Sequence, residues 1–384
     1  MILMFILRFL LSKRFMILLI VILNARDFID HMISLKVKDI QLDHIFGKSL
    51  VKQCNYILAN VEYDEANTHN ILGHLISRFG SHRHTAMFQS KINQNDKIIA
   101  KSYPKSMEIM RSLTYPLNRE YLRKEYMAKV FKSDLHICPH ESVQQFVNFF
   151  TTHSGHNETA VWLFLLTNPQ VLIHPYLQAH GFPVPPLFGI CGLTIFQMHV
   201  GQTLQHFYEA NFDIKLRIAK QLLEAALKFT NGFEGFRMYI TDITADNLIY
   251  NVERDKLYFI DLNTAYIVHA GSTTNSDDID QHENIACDDC FAFVPIRLCT
   301  YGISDMNLLE SCRFLREDLK RDRTKGFLKP IPTEITTKYT DLETLLDNCV
   351  DGGIKTEAET IEENSRFLTT LKLIELISNI LNEF

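Results

Sequence analysis

The chain has 384 residues, 46% of them hydrophobic and 22% charged, with a formal net charge of −6 at pH 7. That composition is ordinary for globular protein and excludes wholesale disorder, and the length allows one large domain or two modest ones. The acidic balance, with no long basic block and no basic-aromatic stripe, argues against a nucleic-acid partner.

In chain order, the first segment is the most unusual. Met1–Asn24 reads MILMFILRFLLSKRFMILLIVILN, with Arg8, Lys13 and Arg14 ahead of the apolar stretch Phe15–Leu23. A basic flank followed by a short apolar run has the form of a signal peptide, residues 1–25, cleaved after Ala25, or of a retained signal anchor that holds the chain at a membrane through residues 1–24. Eight cysteines follow, Cys54, Cys138, Cys191, Cys287, Cys290, Cys299, Cys312 and Cys349, a number that suits disulfides in an oxidising lumen. Asn157-Glu-Thr159 is an acceptor sequon for N-glycosylation. All three features point to the secretory pathway.

After a lead-in over 26–71, residues 72–384 read as one domain, strand-rich to about residue 198 and helical beyond. Thr85–Gln89 and Lys97–Ser102 are predicted strands, separated by the polar turn Asn93–Asp96. Met107–Phe131, Glu141–Phe150 and Thr159–Leu166 are predicted helices. Leu187–Val200, interrupted by Gly189 and Gly192, predicts a strand pair. Ile214–Phe229 is the clearest helix: Ile218/Ala219, Leu222/Leu223 and Ala226/Leu227 recur at helical spacing, with Lys215, Arg217, Lys220, Gln221 and Glu224 on other faces. Three short strands follow at Met238–Ile240, Leu248–Asn251 and Leu257–Ile260. Beyond Ala270 the chain reads as an acidic loop and then mostly as helix. The expected class is α+β, with a small β-rich part and a larger helical part.

The chemistry concentrates in Tyr239–Ile267, YITDITADNLIYNVERDKLYFIDLNTAYI. Asp242 and Asn247 are five apart, and Asp261 follows nineteen residues after Asp242 at the end of an apolar strand. A loop bearing Asp-x4-Asn, then a hairpin ending in Asp, is what phosphoryl transfer from ATP requires. The first Asp handles the proton of the acceptor hydroxyl, while the Asn and second Asp hold magnesium or manganese against the phosphates. The pair Asp242/Asn247 alone is equally an ordinary polar turn; Asp261 behind an apolar strand is what shifts the balance. Ile98-Ile99-Ala100-Lys101 has the form of a strand ending in the lysine that pairs with those phosphates. Its carboxylate partner is open among Glu108, the nearest, Glu120 and Glu125.

These segments carry a resemblance to the divergent protein kinase domain proteins, specifically the deleted-in-autism branch, over about residues 97–380. IIAKSYPKSMEIM, LLTNPQVLIHPYL, FPVPPLFGICG, QLLEAALKFTNGFEGFRMYITDITADNLIY, LYFIDLNTAYIV, the C-terminal cysteine run and LETLLDNC belong to it. The resemblance implies a bilobal kinase-like fold and residence in the Golgi or secretion. It matches Lys101 with the strand lysine, Glu108 with its partner, Asp242 with the loop Asp, Asn247 with the Asn, and Asp261 with the metal Asp. The chain departs from most kinases in having Ile240-Thr241 before the loop Asp and Leu262-Asn263 after the metal Asp. It has no Ala-Pro-Glu, and only the widely separated Gly73 and Gly80 stand where a glycine-rich loop belongs. Two functions follow: an ATP/magnesium-dependent phosphotransferase acting on a protein or glycan hydroxyl, or a pseudokinase serving as a secreted or Golgi-anchored binding protein.

Three other clusters carry weaker signals. Cys287-x2-Cys290 with His282, Cys299 and Cys312 has the form of a zinc set, against which disulfides are preferred in a lumen. Asp277, Asp278, Asp280, Glu283, Asp288 and Asp289 form an acidic run, expected to be a solvated loop. The pairs His82/His84 and His153/His156 are expected to be surface histidines.

Overall fold

The computed structural model describes residues 43–63, 84–93, 96–102, 109–110, 112–114, 116–129, 135–282, 295–352 and 366–384. The N-terminal apolar segment, Gly73, Gly80, His82, Glu108, Cys287 and Cys290 lie outside them. The fold is α+β and divides into two compact units. The first takes the described residues up to Arg119 with Leu166–Val171 and Leu187–Met198; the second takes Glu120–Leu165, Leu172–Pro186 and those from His199 onward.

The first unit is a five-stranded antiparallel sheet with one helix against it. Helix α1 (Asp43–Asn60) leads into β1 (Val61–Tyr63), and the strand order is β1, β2 (His84–Ser90), β3 (Lys97–Ser102), β6 (Thr194–Met198) and β5 (Leu187–Cys191). Alternation in β3 decides its faces: Ile98 and Ala100 are fully buried, whereas Ile99 and Lys101 on the opposite face are partly exposed. Ile98 and Ala100 join Ile57, Val61, Phe88 and Phe196 in one apolar cluster. Cys54 on α1 and Cys191 at the end of β5 are disulfide-bonded. A side chain at Gly189 would bring its Cβ to 2.5 Å from Ile57 Cδ1, so glycine there lets α1 lie directly on β5. Gly192, at φ +59°, makes the tight turn into β6.

The second unit is mostly helical. Its helices include α2 (Arg119–Lys129), α3 (Val143–His153), α4 (Glu158–Thr167) and α5 (Gln170–Ala179). Helix α6 (Phe212–Asn231) is the longest, and its stripe of Leu216, Ala219, Leu222, Leu223, Ala226 and Phe229 is buried. Around it stand two small sheets. One has the order β10 (Lys256–Phe259), β9 (Leu248–Asn251), β7 (Gln202–Thr203); the other β4 (His136–Cys138), β11 (Tyr266–His269), β8 (Phe236–Tyr239), with β4 parallel to β11. A parallel pair, β12 (Asn275–Asp280) and β13 (Tyr301–Ser304), flanks α7 (Pro295–Leu298) in sequence. Helices α8 (Met306–Arg316), α9 (Thr333–Lys338), α10 (Asp341–Asp351) and α11 (Arg366–Leu381) complete the unit. Disulfides Cys138–Cys299 and Cys312–Cys349 tie β4 to the end of α7 and α8 to α10.

Several expectations change. Among the described residues the helix expected over 107–131 is interrupted: 109–110 and 112 are helical, 113–114 and 116–118 are not, and helix resumes at Arg119–Lys129, as Pro116 has no N–H to donate and disfavours helical backbone before it. Helix α5 was not expected, since Pro175 inside it reads as a breaker in sequence. The acidic run is not simply a solvated loop. It contains strand β12, and Asp280 is fully buried, 2.5 Å from Arg297 Nη2 and 3.5 Å from His282 Nδ1. His282, likewise buried, donates its backbone N–H to Asp305 Oδ1 at 2.9 Å. Arg366 then holds Asp305, the His282 carbonyl and the Val350 carbonyl together. The zinc set also dissolves, because Cys299 and Cys312 are engaged in disulfides with other partners.

Candidate nucleotide and metal site

Topology brings the three loop residues together. The chain leaves β8 and returns in β9, then leaves β10 and returns in β11. Since β8 pairs with β11 and β9 with β10, the two connections, 240–247 and 260–265, must run side by side. Register sharpens the point. Leu248 pairs with Phe259, and one step further the Ile260 N–H donates to the Asn247 carbonyl at 3.0 Å. Asn247 is therefore fixed opposite the residue before Asp261. On the other ladder Tyr239 pairs with Tyr266, and two steps further Thr241 faces Thr264.

Within the first connection, Asn247 Nδ2 donates to Asp242 Oδ2 at 2.7 Å and to the Asp242 carbonyl at 3.2 Å. Its backbone N–H closes a turn onto the Thr244 carbonyl at 3.0 Å. Asp242 is exposed and Asp261 half-buried, with Asp261 Oδ1 accepting the Asn263 N–H at 3.4 Å. Leu262 and Asn263, which replace the usual Phe-Gly, are both buried, so they hold this connection against the interior.

Three supports are not marked by the spacing of Asp242, Asn247 and Asp261. Asn307 on α8, fully buried, accepts the Ile240 N–H at 2.8 Å and donates from Nδ2 to the Met238 carbonyl at 2.9 Å and to Thr230 Oγ1 at 3.0 Å. The Thr241 hydroxyl meets the Thr264 carbonyl at 2.9 Å and the Thr264 hydroxyl at 2.7 Å. The third support is the tip of the β9–β10 hairpin, where Asp255 has φ +45°. Tyr250 donates its hydroxyl to Asp255 Oδ1, Arg217 Nη1 donates to Oδ2 at 3.2 Å, and Gln221 Nε2 donates to Oδ1 and the carbonyl. The Leu257 N–H donates back to Gln221 Oε1 at 2.8 Å. Burial and the neighbouring Asp255 carboxylate raise the Tyr250 hydroxyl well above the usual phenol range, so it stays a donor. Two residues on the polar face of α6 thus anchor the hairpin. A third, Lys215, is itself buried, its Nζ on the Lys329 carbonyl at 3.0 Å, and burial lowers its pKa.

Lys101 stands in the first unit, in the body of β3, paired with Thr85 on one side and Ile195 on the other. Glu120 and Glu125 both fall on α2 in the second unit, and Glu120 lies 4.0 Å from Arg123.

The donor set of the second unit fits magnesium. With Nδ2 of Asn247 spent on Asp242, its Oδ1 is the end left to ligate, and Asp261 supplies a carboxylate; both are hard oxygens of the kind magnesium takes one or two at a time. Among the described residues no group of three or more His, Cys, Asp or Glu is arranged to hold a metal.

Residues 161–352 match the family model described as the protein-kinase domain of FAM69, a span that contains Asp242, Asn247 and Asp261 but not Lys101. Divergent protein kinase domain 2A of Xenopus tropicalis and that of Homo sapiens are each 27% identical over 199 residues, 49% of this chain and 46% of the relative. The Mus musculus protein of the same name matches to the same extent. The chain therefore spans about half the length of these curated relatives. Among solved structures, the Rv3197–erythromycin complex from Mycobacterium tuberculosis aligns over 47% of this chain and 43% of that one at 13% identity, with a TM-score of 0.24, too low to bear on the fold.

Proposed function

The chain belongs to the divergent protein kinase family of the FAM69 protein-kinase domain, and on that premise we propose that it is a phosphotransferase of the kinase type, using ATP and magnesium or manganese on a hydroxyl acceptor. The observation that carries the reading is the Asn247 side chain, which bonds Asp242 while its backbone is locked opposite Ile260, next to Asp261. Proton acceptor and both metal ligands are then held on two adjoining connections. Asp242 would take the acceptor's proton and Asn247 and Asp261 would hold the metal, while the resemblance assigns phosphate pairing to Lys101 with Glu108 as its partner. Bound magnesium neutralises charge on the phosphate oxygens. The acceptor is a protein or glycan hydroxyl in the secretory pathway. Three disulfides among the described residues support that compartment.

The second reading, a pseudokinase that binds nucleotide or protein without efficient transfer, draws on Thr241 and Leu262-Asn263, which replace the usual residues on either side of the site. Thermal unfolding of the full chain with and without ATP and magnesium separates them from a fold with no nucleotide site. Ligand at a hundredfold excess over Kd stabilises by about 2.7 kcal/mol, a shift of several degrees. The expected result is a metal-dependent rise abolished by Asp261→Ala and by Lys101→Ala. No rise in the intact chain, with folding confirmed, sinks the phosphotransferase and leaves the kinase fold as a protein-binding scaffold. A rise without ATP turnover favours the pseudokinase.

A further inference from the structure

We propose that the Thr241–Thr264 hydroxyl pair is a positioning element that sets the place of Asp242 relative to Asp261; this rests on the phosphotransferase reading. The two connections that carry the site are joined at their two ends by different means. At the β9–β10 end the join is a backbone bond, Ile260 N–H to the Asn247 carbonyl, which continues the hairpin ladder and fixes Asn247 beside Asp261. At the β8–β11 end the backbone ladder stops at Tyr239–Tyr266, and two residues further the join is made by side chains. Thr241 Oγ1 lies 2.9 Å from the Thr264 carbonyl and 2.7 Å from the Thr264 hydroxyl. A hydroxyl has one proton and two lone pairs, so Thr241 donates to the carbonyl and accepts from the Thr264 O–H, and both protons are used. Asp242 is the next residue, and Asp261 precedes Thr264 by three.

This arrangement divides the labour. The metal ligands Asn247 and Asp261 are held by the hairpin and do not need the threonines. Asp242 is linked to the Asp261 connection through Asn247 at one end and through Thr241 at the other. Loss of the hydroxyl pair therefore releases the proton acceptor while leaving the metal-binding side in place. The effect belongs in turnover rather than in affinity for the magnesium–nucleotide complex.

The test uses the full chain with ATP as substrate and water as acceptor, comparing Thr241→Val, which keeps shape but loses the hydroxyl, with Thr241→Ser, which keeps it. The valine variant is expected to lower kcat for magnesium-dependent ATP hydrolysis about five- to tenfold, the size of one neutral hydrogen bond, with KM within about twofold. Amide exchange in 240–245 and 262–265 should rise, that in the hairpin should not, and the serine variant should match the parent in all three. Equal turnover in the valine variant and the parent overturns the positioning role alone. So does unchanged exchange, or a serine variant as impaired as the valine one. A parent that shows no magnesium-dependent turnover overturns the phosphotransferase reading, and the positioning role falls with it.

Discussion

The carboxamide of Asn307 accepts the backbone N–H of Ile240 at 2.8 Å and gives its own protons to the Met238 carbonyl and the Thr230 hydroxyl, so one buried side chain on α8 fixes the strand end two residues before Asp242. Every polar atom it serves is buried with it. Replacement by leucine leaves the Ile240 N–H and the Met238 carbonyl without partners, at a cost of about 1–3 kcal/mol for each buried group. Asn307→Asp keeps the acceptor and loses both donors. We expect Asn307→Leu to lose about 2–4 kcal/mol in denaturant unfolding, with the aspartate variant between it and the parent. A leucine variant as stable as the parent would mean that water reaches the end of β8.

The disulfides offer a second, quantitative check. Cys312–Cys349 closes 37 residues and Cys138–Cys299 closes 161. On chain entropy alone the first contributes about 4 kcal/mol and the second about 1 kcal/mol more. Paired alanine substitutions at each bridge, compared by urea midpoint and slope, should therefore rank the longer loop as the costlier loss. The reverse order would show that local packing of the fully buried Cys312 and Cys349 outweighs loop closure.

What could be read from sequence follows from how local each cause is. Helix α6 was legible because its buried stripe repeats at the helical period. Asp242, Asn247 and Asp261 were legible as a spacing because a single hairpin joins them. Asn307 was not, since it reaches Ile240 across 67 positions and no local pattern marks an asparagine that serves a distant strand. Lys215 and Asp280 were misplaced for a related reason. A charged side chain reads as solvated until tertiary structure supplies a carbonyl, as Lys329 does, or an opposite charge, as Arg297 does. The threonine pair was hidden in the departures themselves: Thr241 stands where most kinases have arginine, and only the register of β8 with β11 shows what it meets.

A pH dependence follows from His156, half-buried against the Phe164 ring at 5.1 Å. Burial lowers its pKa from 6.5. The unfolded chain then binds the proton more readily than the folded one, so stability from this group is complete above about pH 6.5 and is lost progressively as pH falls toward the folded-state pKa. His156→Phe keeps a ring on Phe164 without the titration. The stability difference between parent and variant should move in the variant's favour from pH 7.5 to pH 5. A difference that stays constant with pH would show that His156 titrates alike in both states.

Asn157 sits at the junction of two requirements. It is exposed, and its Oδ1 accepts the Ala160 N–H at 2.9 Å at the start of α4, so the side chain caps a helix while standing in an Asn-x-Thr sequon. If the chain passes through the secretory pathway, as we propose, Asn157 is expected to carry an N-linked glycan, because the transfer precedes folding and the folded position leaves the residue at the surface. Asn157→Gln is a poor test alone, since it also disturbs a cap worth about 0.5–2 kcal/mol. Thr159→Ala removes the sequon and keeps the cap. The expected outcome is a mobility shift on treatment with a peptide N-glycosidase for protein expressed with its own N-terminus, absent in Thr159→Ala, with both forms equally stable after deglycosylation. A parent secreted in soluble form without any such shift would refute modification at Asn157 while leaving the compartment supported by the disulfides. A parent retained in reduced form, with free thiols at Cys138 and Cys299, would count against the compartment itself.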